Sequence, residues 1–349
     1  MKRPAWQRAA AALALGIACA FLLLEGGARF FSSRPGGEPQ SPIQVLPAKG
    51  LPVPAPAFAA NEGDINAIHD PDPWVWWRVK SNLENFRVRI LWNEAHSFTL
   101  STDAQGFRRS GEEDAGDRPI LVVGDSTAFG VGVDDADTWP ARLQALLRAK
   151  GEQDTVVNAG VPGHGTLQAV RMAEIYGMPL KPRMVILCAG FNDSGLVPPG
   201  ELPDLARAAR SDAEQSTADS PSRLLHLLSQ AVTGAQQLQS GGERARLTPE
   251  EYRHTLAAAQ ERFAELGLPL LWVRWPTQEE AEHGRSASGG YPQVLLEHGT
   301  QPGVHLIDLL PVFQQLESTP YFDFVHTTAL GNQAAAAAVA DALSRLASS

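Results

Sequence analysis

From Pro119 to the C-terminus, short apolar runs alternate with segments of helical period. Ile120–Val123, Thr155–Asn158, Met184–Ala189, Leu268–Trp275 and His305–Leu310 predict five strands. The unbroken apolar run Met184–Ala189 is what burial on both faces of a sheet demands. Thr138–Lys150 has the helical period, with Thr138 placed to cap it, Pro140 in its first turn and Gly151 just past its end. Thr166–Tyr176 predicts a second helix. Thr248-Pro249-Glu250-Glu251 carries the Thr-x-x-Glu signature of a capping box and opens a long amphipathic helix to Leu266. Alanine-rich Thr328–Ala347 closes the chain as a packing helix. Such alternation predicts a mostly parallel sheet of about five strands, covered by helices on both faces.

One polar, serine-rich insertion, residues 194–247, interrupts the pattern; its second half predicts a helix over Ser222–Leu238. Residues 72–118, ahead of the first strand, form a small β-rich extension. It holds Trp74, Trp76 and Trp77 beside Val75 and Val79, then Phe98–Leu100 and a turn at Asp103–Gly106. The tryptophans read as a packing block that docks the extension on the core, the other reading being a carbohydrate platform. Residues 32–71, rich in proline, glycine and alanine, read as a semi-extended tether. In residues 1–31, Lys2, Arg3 and Arg8 precede the uninterrupted apolar run Ala9–Leu24. That pattern predicts an uncleaved signal anchor with its basic flank inside and the rest exported. A cleaved signal peptide ending near Ala18-Cys19-Ala20 is the rival, against which Phe21–Leu24 continues the apolar segment.

Composition narrows the function. The formal net charge of −10, with no basic stripe, excludes a nucleic-acid partner. Cys19 and Cys188 make no disulfide framework and read as free structural residues. The histidines show no metal-ligand spacing, so neither metal nor cofactor is expected.

The candidate chemistry lies at the strand ends. The first strand runs into Gly124-Asp125-Ser126 and delivers a hydroxyl to the carboxyl edge of the sheet, where α/β proteins place their reacting groups. The second runs into Asn158-Ala159-Gly160 and then Gly163; the third runs into Gly190-Phe191-Asn192-Asp193. Near the C-terminus stands Asp323-Phe324-Val325-His326. With these four blocks in this order, the chain resembles the SGNH (GDSL-type) hydrolases from about Ile120 to its end. The turn from Ser101-Thr102-Asp103 to Gly106-Phe107-Arg108 looks like the lead-in of membrane-anchored bacterial members. Gly-x-Ser-x-Gly is absent around Ser126, which argues against an ordinary α/β-hydrolase lipase.

The resemblance implies a three-layer α/β/α, flavodoxin-like hydrolase domain over residues 119–349. It makes Ser126 the nucleophile, His326 its base and Asp323 the acid that orients the base. The oxyanion donors would be the backbone N–H of Ser126, that of Gly163 and the side-chain amide of Asn192, with Gly160 competing for the place of Gly163. Asp125 is expected to hold its loop, and the insertion with the Trp272–Trp275 strand end to shape the substrate pocket. The function implied is an extracytoplasmic serine esterase, periplasmic if the cell is Gram-negative, acting on acyl or acetyl esters of a glycan or lipid. Two alternatives share the fold: an O-acyltransferase to an envelope or exopolysaccharide glycan, and a catalytically silent glycan-binding module.

Overall fold

The computed structural model describes residues 61–93, 96–111, 118–197, 244–286 and 289–347. The extension is built from β1 (Glu62–Gly63), β2 (His69–Asp72), β3 (Trp76–Val79), β4 (Phe86–Arg89) and β5 (Ser97–Leu100). β2 and β3 pair as an antiparallel hairpin, and β4 lies between β1 and β5. Residues 62–71, assigned to the tether by composition, are therefore structured. The physical reason is apolar anchoring, because Ile68 is fully buried and Ile65 packs on the same core.

The main sheet is β6 (Ile120–Gly124), β7 (Val156–Gly160), β8 (Met184–Cys188), β11 (Leu270–Arg274) and β12 (His305–Asp308), in the order β12-β11-β8-β6-β7. Two-residue strands, β9 (Leu196–Val197) and β10 (Arg244–Ala245), flank the insertion. Every neighbouring pair in the main sheet is parallel. By strand of origin this is the flavodoxin-like 2-1-3-4-5 order, whose switch point lies between β6 and β8. Gly124 is level with Gly160 on one side and Cys188 on the other, so three strand ends meet at the same height.

The helices are α1 (Ser126–Phe129), α2 (Trp139–Ala149), α3 (Thr166–Met172), α4 (Pro249–Glu265), α5 (Gln278–His283), α6 (Tyr291–Gly299), α7 (Leu310–Gln314) and α8 (Ala329–Ala347). Thr138 caps α2 and Thr248 caps α4, the latter in a capping box with Glu251. Alternation along the strands sorts the core into two faces. Leu121, Val123, Val185, Leu187 and Trp272 meet α3, α4, α6 and the extension. Ile120, Val122, Ile186, Leu271 and Val273 meet α2, α7 and α8. The expected helix at Thr166–Tyr176 is α-helical only to Met172, beyond which Ala173–Gly177 opens into a π turn. Gly177 is forced close to β6 there, since a Cβ on it would stand 2.2 Å from Leu121 Cδ2.

The extension and the main sheet belong to one compact unit. Arg108 joins them. Its guanidinium is buried and donates to Asp135 Oδ1 at 2.8 Å, Gly130 O at 2.7 Å and Val133 O at 2.7 Å, on the loop that follows Ser126. Met1–Ile43 with Val197–Arg244 make a second unit that lies almost wholly outside the described residues. The signal anchor, the first part of the tether and the Ser222–Leu238 helix fall there. Among the described residues, no helix is long and apolar enough to cross a membrane.

Candidate active site

Ser126 is the first residue of α1, directly after β6. The turn is tight: a Cβ on Gly124 would lie 1.8 Å from Cys188 O, so only glycine lets β6 end this close to β8. Asp125 caps α1, its buried carboxylate accepting from Thr127 N at 2.8 Å and Thr127 Oγ1 at 2.7 Å. Burial raises its pKa despite those bonds. As expected, Asp125 is part of the loop's support, and the serine hydroxyl is left half-buried at the sheet edge.

The Asp323–His326 turn, which precedes α8, faces that hydroxyl. His326 Nε2 lies 2.8 Å from Ser126 Oγ, and His326 Nδ1 lies 2.7 Å from Asp323 Oδ2. An Nδ1–H donating to the carboxylate leaves Nε2 free to accept the serine proton. The spacing of three lets Asp323 brace its own turn as well, since Oδ1 accepts from Val325 N at 3.0 Å and His326 N at 2.7 Å. Burial would raise the Asp323 pKa, but the hydrogen bond and charge of His326, with the two backbone donors, outweigh it and bring the carboxyl down to about 2. The carboxylate is thus held ionised beside the imidazole.

The other side of Ser126 is formed by the loops after β7 and β8. Gly160 N–H is already engaged, donating to Asn158 Oδ1 at 3.1 Å. Gly163 takes a left-handed φ of +85°, and its carbonyl accepts from Arg246 Nη1 at 2.6 Å. Asn192 Nδ2 donates to His164 O at 2.9 Å, fixing the amide against the Gly163 loop. An amide nitrogen carries two donors, and His164 O takes one of them. Asp193 is buried and accepts from Thr166 Oγ1 at 2.6 Å and Thr166 N at 3.0 Å. It does so as the cap that Gly165, at the start of α3, has no side chain to provide; a Cβ on Gly165 would sit 2.4 Å from Asp193 Oδ1. Burial pushes the Asp193 carboxyl up to about 6.

His164 is fully buried, with Nε2 donating to Trp77 O at 2.9 Å, and burial lowers its pKa to about 3. It is a neutral docking residue. Trp77 answers from the extension, its indole N–H donating to Pro162 O at 2.9 Å. This is the expected packing role, and it falls on Trp77; Trp74 is exposed. Of the strand end expected to line the pocket, Trp272 is buried edge-on against His298. Arg274 and Trp275 do line a cleft of about 30 Å³ with Gly190 and Phe191, adjacent to Asn192.

Around Ser126 and His326 the described rim is aromatic. Phe324 is 54% exposed with its ring 6.2 Å from His326 and 5.6 Å from Phe191. Trp92, from the loop after β4, is 52% exposed and its ring stands 6.3 Å from His326. Trp92 and Arg108 are the residues missed from sequence as neighbours of the site. Arg108 carried a signal, as a charged residue in the lead-in turn; Trp92 carried none.

A flavodoxin-like sheet with a serine, histidine and aspartate in relay at its carboxyl edge defines a hydrolase-type site. Residues 122–334 match the GDSL-like Lipase/Acylhydrolase family, and the chain belongs to it. It is similar to Esterase TesA of Pseudomonas aeruginosa, 30% identical over 105 residues that cover 29% of this chain and 52% of that protein. The match thus spans about half the length of that relative. Among solved structures, the crystal structure of TesA covers 66% of this chain and 99% of its own at 17% identity, with a TM-score of 0.45. The psychrotrophic esterase EstA from Pseudoalteromonas sp. covers 67% and 100% at 13% identity, with a TM-score of 0.43.

Proposed function

We propose that this protein is a serine esterase that hydrolyses carboxylic esters through an acyl-enzyme on Ser126. The observation that carries the reading is the unbroken relay from Ser126 Oγ through both ring nitrogens of His326 to Asp323, at 2.8 and 2.7 Å. Ser126 Oγ attacks the ester carbonyl carbon and passes its proton to His326 Nε2. Negative charge then develops on the carbonyl oxygen, with Ser126 N–H, Gly163 N–H and the Asn192 amide as donors. Collapse breaks the bond to the alcohol, which leaves with the proton from Nε2. Water repeats the sequence on the acyl-enzyme: its proton goes to Nε2, the bond to Ser126 Oγ breaks as Oγ takes that proton back, and the free acid departs.

Membership of an acylhydrolase family and the esterase relative support this chemistry. The basic flank and apolar run at Lys2–Leu24 support export with the N-terminus as anchor. An exported site with an aromatic rim suits acetyl or short acyl esters on envelope glycans. The test is a fluorophosphonate probe with a panel of p-nitrophenyl esters and acetylated polysaccharides. Labelling and turnover are expected to vanish in Ser126→Ala, by about 10⁴- to 10⁶-fold in kcat. Turnover that survives this substitution would refute the reading. Protease accessibility of the domain in spheroplasts checks the location.

A further inference from the structure

Trp92 lies between β4 and β5, outside the stretch that matches the family. Its indole Nε1–H donates to Asp323 Oδ2 at 3.0 Å, the same oxygen that accepts from His326 Nδ1. The loop is fastened again just after that contact. Asn93 Nδ2 donates to Phe322 O at 3.4 Å, and His96 Nε2 donates to Gly132 O at 2.6 Å. The His96 ring stacks on Phe322 with centroids 4.2 Å apart, and Phe322 stacks in turn at 5.8 Å from His326. Burial does not account for Trp92, because half of its surface faces water. A tryptophan kept for packing hides its ring; this one leaves the ring exposed and turns its one polar atom to the acid beside the histidine.

We infer that Trp92 is a positioning residue for the Asp323–His326 pair, so that the N-terminal extension completes the active site. The inference rests on the Ser126 reading given above. Both backbone donors in the turn go to Oδ1, which leaves rotation of the carboxylate to be fixed through Oδ2. A second donor on Oδ2 holds that oxygen in the plane of the imidazole, and it also draws charge from the oxygen. Its removal strengthens the hold of Asp323 on a protonated ring. Among the described residues, the charged and titratable groups facing His326 are Asp323, Asp125 at the start of α1, and His96 across Phe322.

The experiment compares Trp92→Phe and Trp92→Ala with the full chain on p-nitrophenyl acetate, reading kcat, KM, the pH profile of kcat/KM and the melting temperature. Trp92→Phe keeps an aromatic ring, smaller than the indole, and removes the N–H. It is expected to lower kcat by about 10-fold, as for a hydrogen bond to a charged group. KM and the melting temperature stay near wild type, and the acid limb of the profile moves to higher pH. Trp92→Ala loses at least as much kcat. Wild-type kcat and an unmoved acid limb in Trp92→Phe overturn the inference, and so does a loss of kcat that follows a fall in melting temperature. Ser126→Ala is run alongside. If it is inactive while Trp92→Phe behaves as wild type, only the inference on Trp92 fails; if it still turns over, both fail.

Discussion

Two aspartates, Asp323 and Asp193, have their pKa values pushed in opposite directions. Asp323 faces a histidine and two backbone donors and is brought down to about 2. Asp193 faces Thr166 and the start of α3, with the charge of Arg246 near, and burial takes it up to about 6. Hydrogen-bond number does not separate them, since both are well supplied with donors. What differs is the directly bonded partner: Asp323 has an imidazole, which in the proposed reaction takes up a proton, whereas Asp193 has a hydroxyl and an amide. One carboxylate is built to stabilise a charge that appears; the other is built to hold backbone. The Gly163 loop and Asn192 depend on the second kind of support, the proposed proton relay on the first.

The comparison is broken most severely at Asp323. Asp323→Asn keeps the size of the side chain and removes its charge, and it is expected to lower kcat by about 10⁴-fold through loss of the tautomer and of the imidazolium partner. Asp193→Asn, which keeps an acceptor for Thr166, is expected to lose far less turnover. Equal losses in the two variants, measured as kcat on p-nitrophenyl acetate, would show that Asp193 takes part in the proton relay and would dissolve the distinction.

Asn192→Ala sharpens the side of the site that Asp193 supports. Removing one donor to a developing oxyanion costs about 2.7 to 4 kcal/mol, or about 10² to 10³ in kcat, with KM little changed. Asn192 also donates to His164 O, so a purely structural role has its own signature: a lower melting temperature and a raised KM at wild-type kcat. The split between kcat and KM decides between them.

Sequence and structure agree where the signal is local. The five strands announce themselves as apolar runs, and Thr138 and Thr248 are caps readable within four residues of their helices. The relay is legible for another reason: its residues follow a strand or stand in the turn before the last helix, so motif order stands in for geometry. Thr277-Gln278-Glu279-Glu280 carries the same capping signature as Thr248 and opens α5, too short a helix for its period to show. The contacts that join the extension to the site were not legible. Trp92 and Asp323 are 231 positions apart, and nothing in the composition of either segment pairs them. Arg108 reaches the loop after Ser126 as a buried guanidinium, which sequence treats as a surface charge until the acceptors Gly130 O and Val133 O are seen.

The smallest expected effect lies in the pH dependence of stability, where the two aspartates have opposite signs. Asp323 has a folded pKa below its unfolded value of 3.8, so the stability it contributes is present above about pH 4 and is lost as pH falls toward 2. Asp193 has a folded pKa above that value. Between about pH 4 and 6 the folded state holds a proton that the unfolded chain has released, so this group makes stability fall as pH rises across that window. The whole fall is at most roughly 3 kcal/mol. Urea unfolding midpoints at pH 4, 5, 6 and 7 measure it. Asp193→Asn is expected to flatten the decline between pH 4 and 6 relative to wild type, whatever constant offset the substitution brings. An unchanged slope would mean that Thr166 and Arg246 stabilise the charged form fully, and the contrast between the two carboxylates would then rest on function alone.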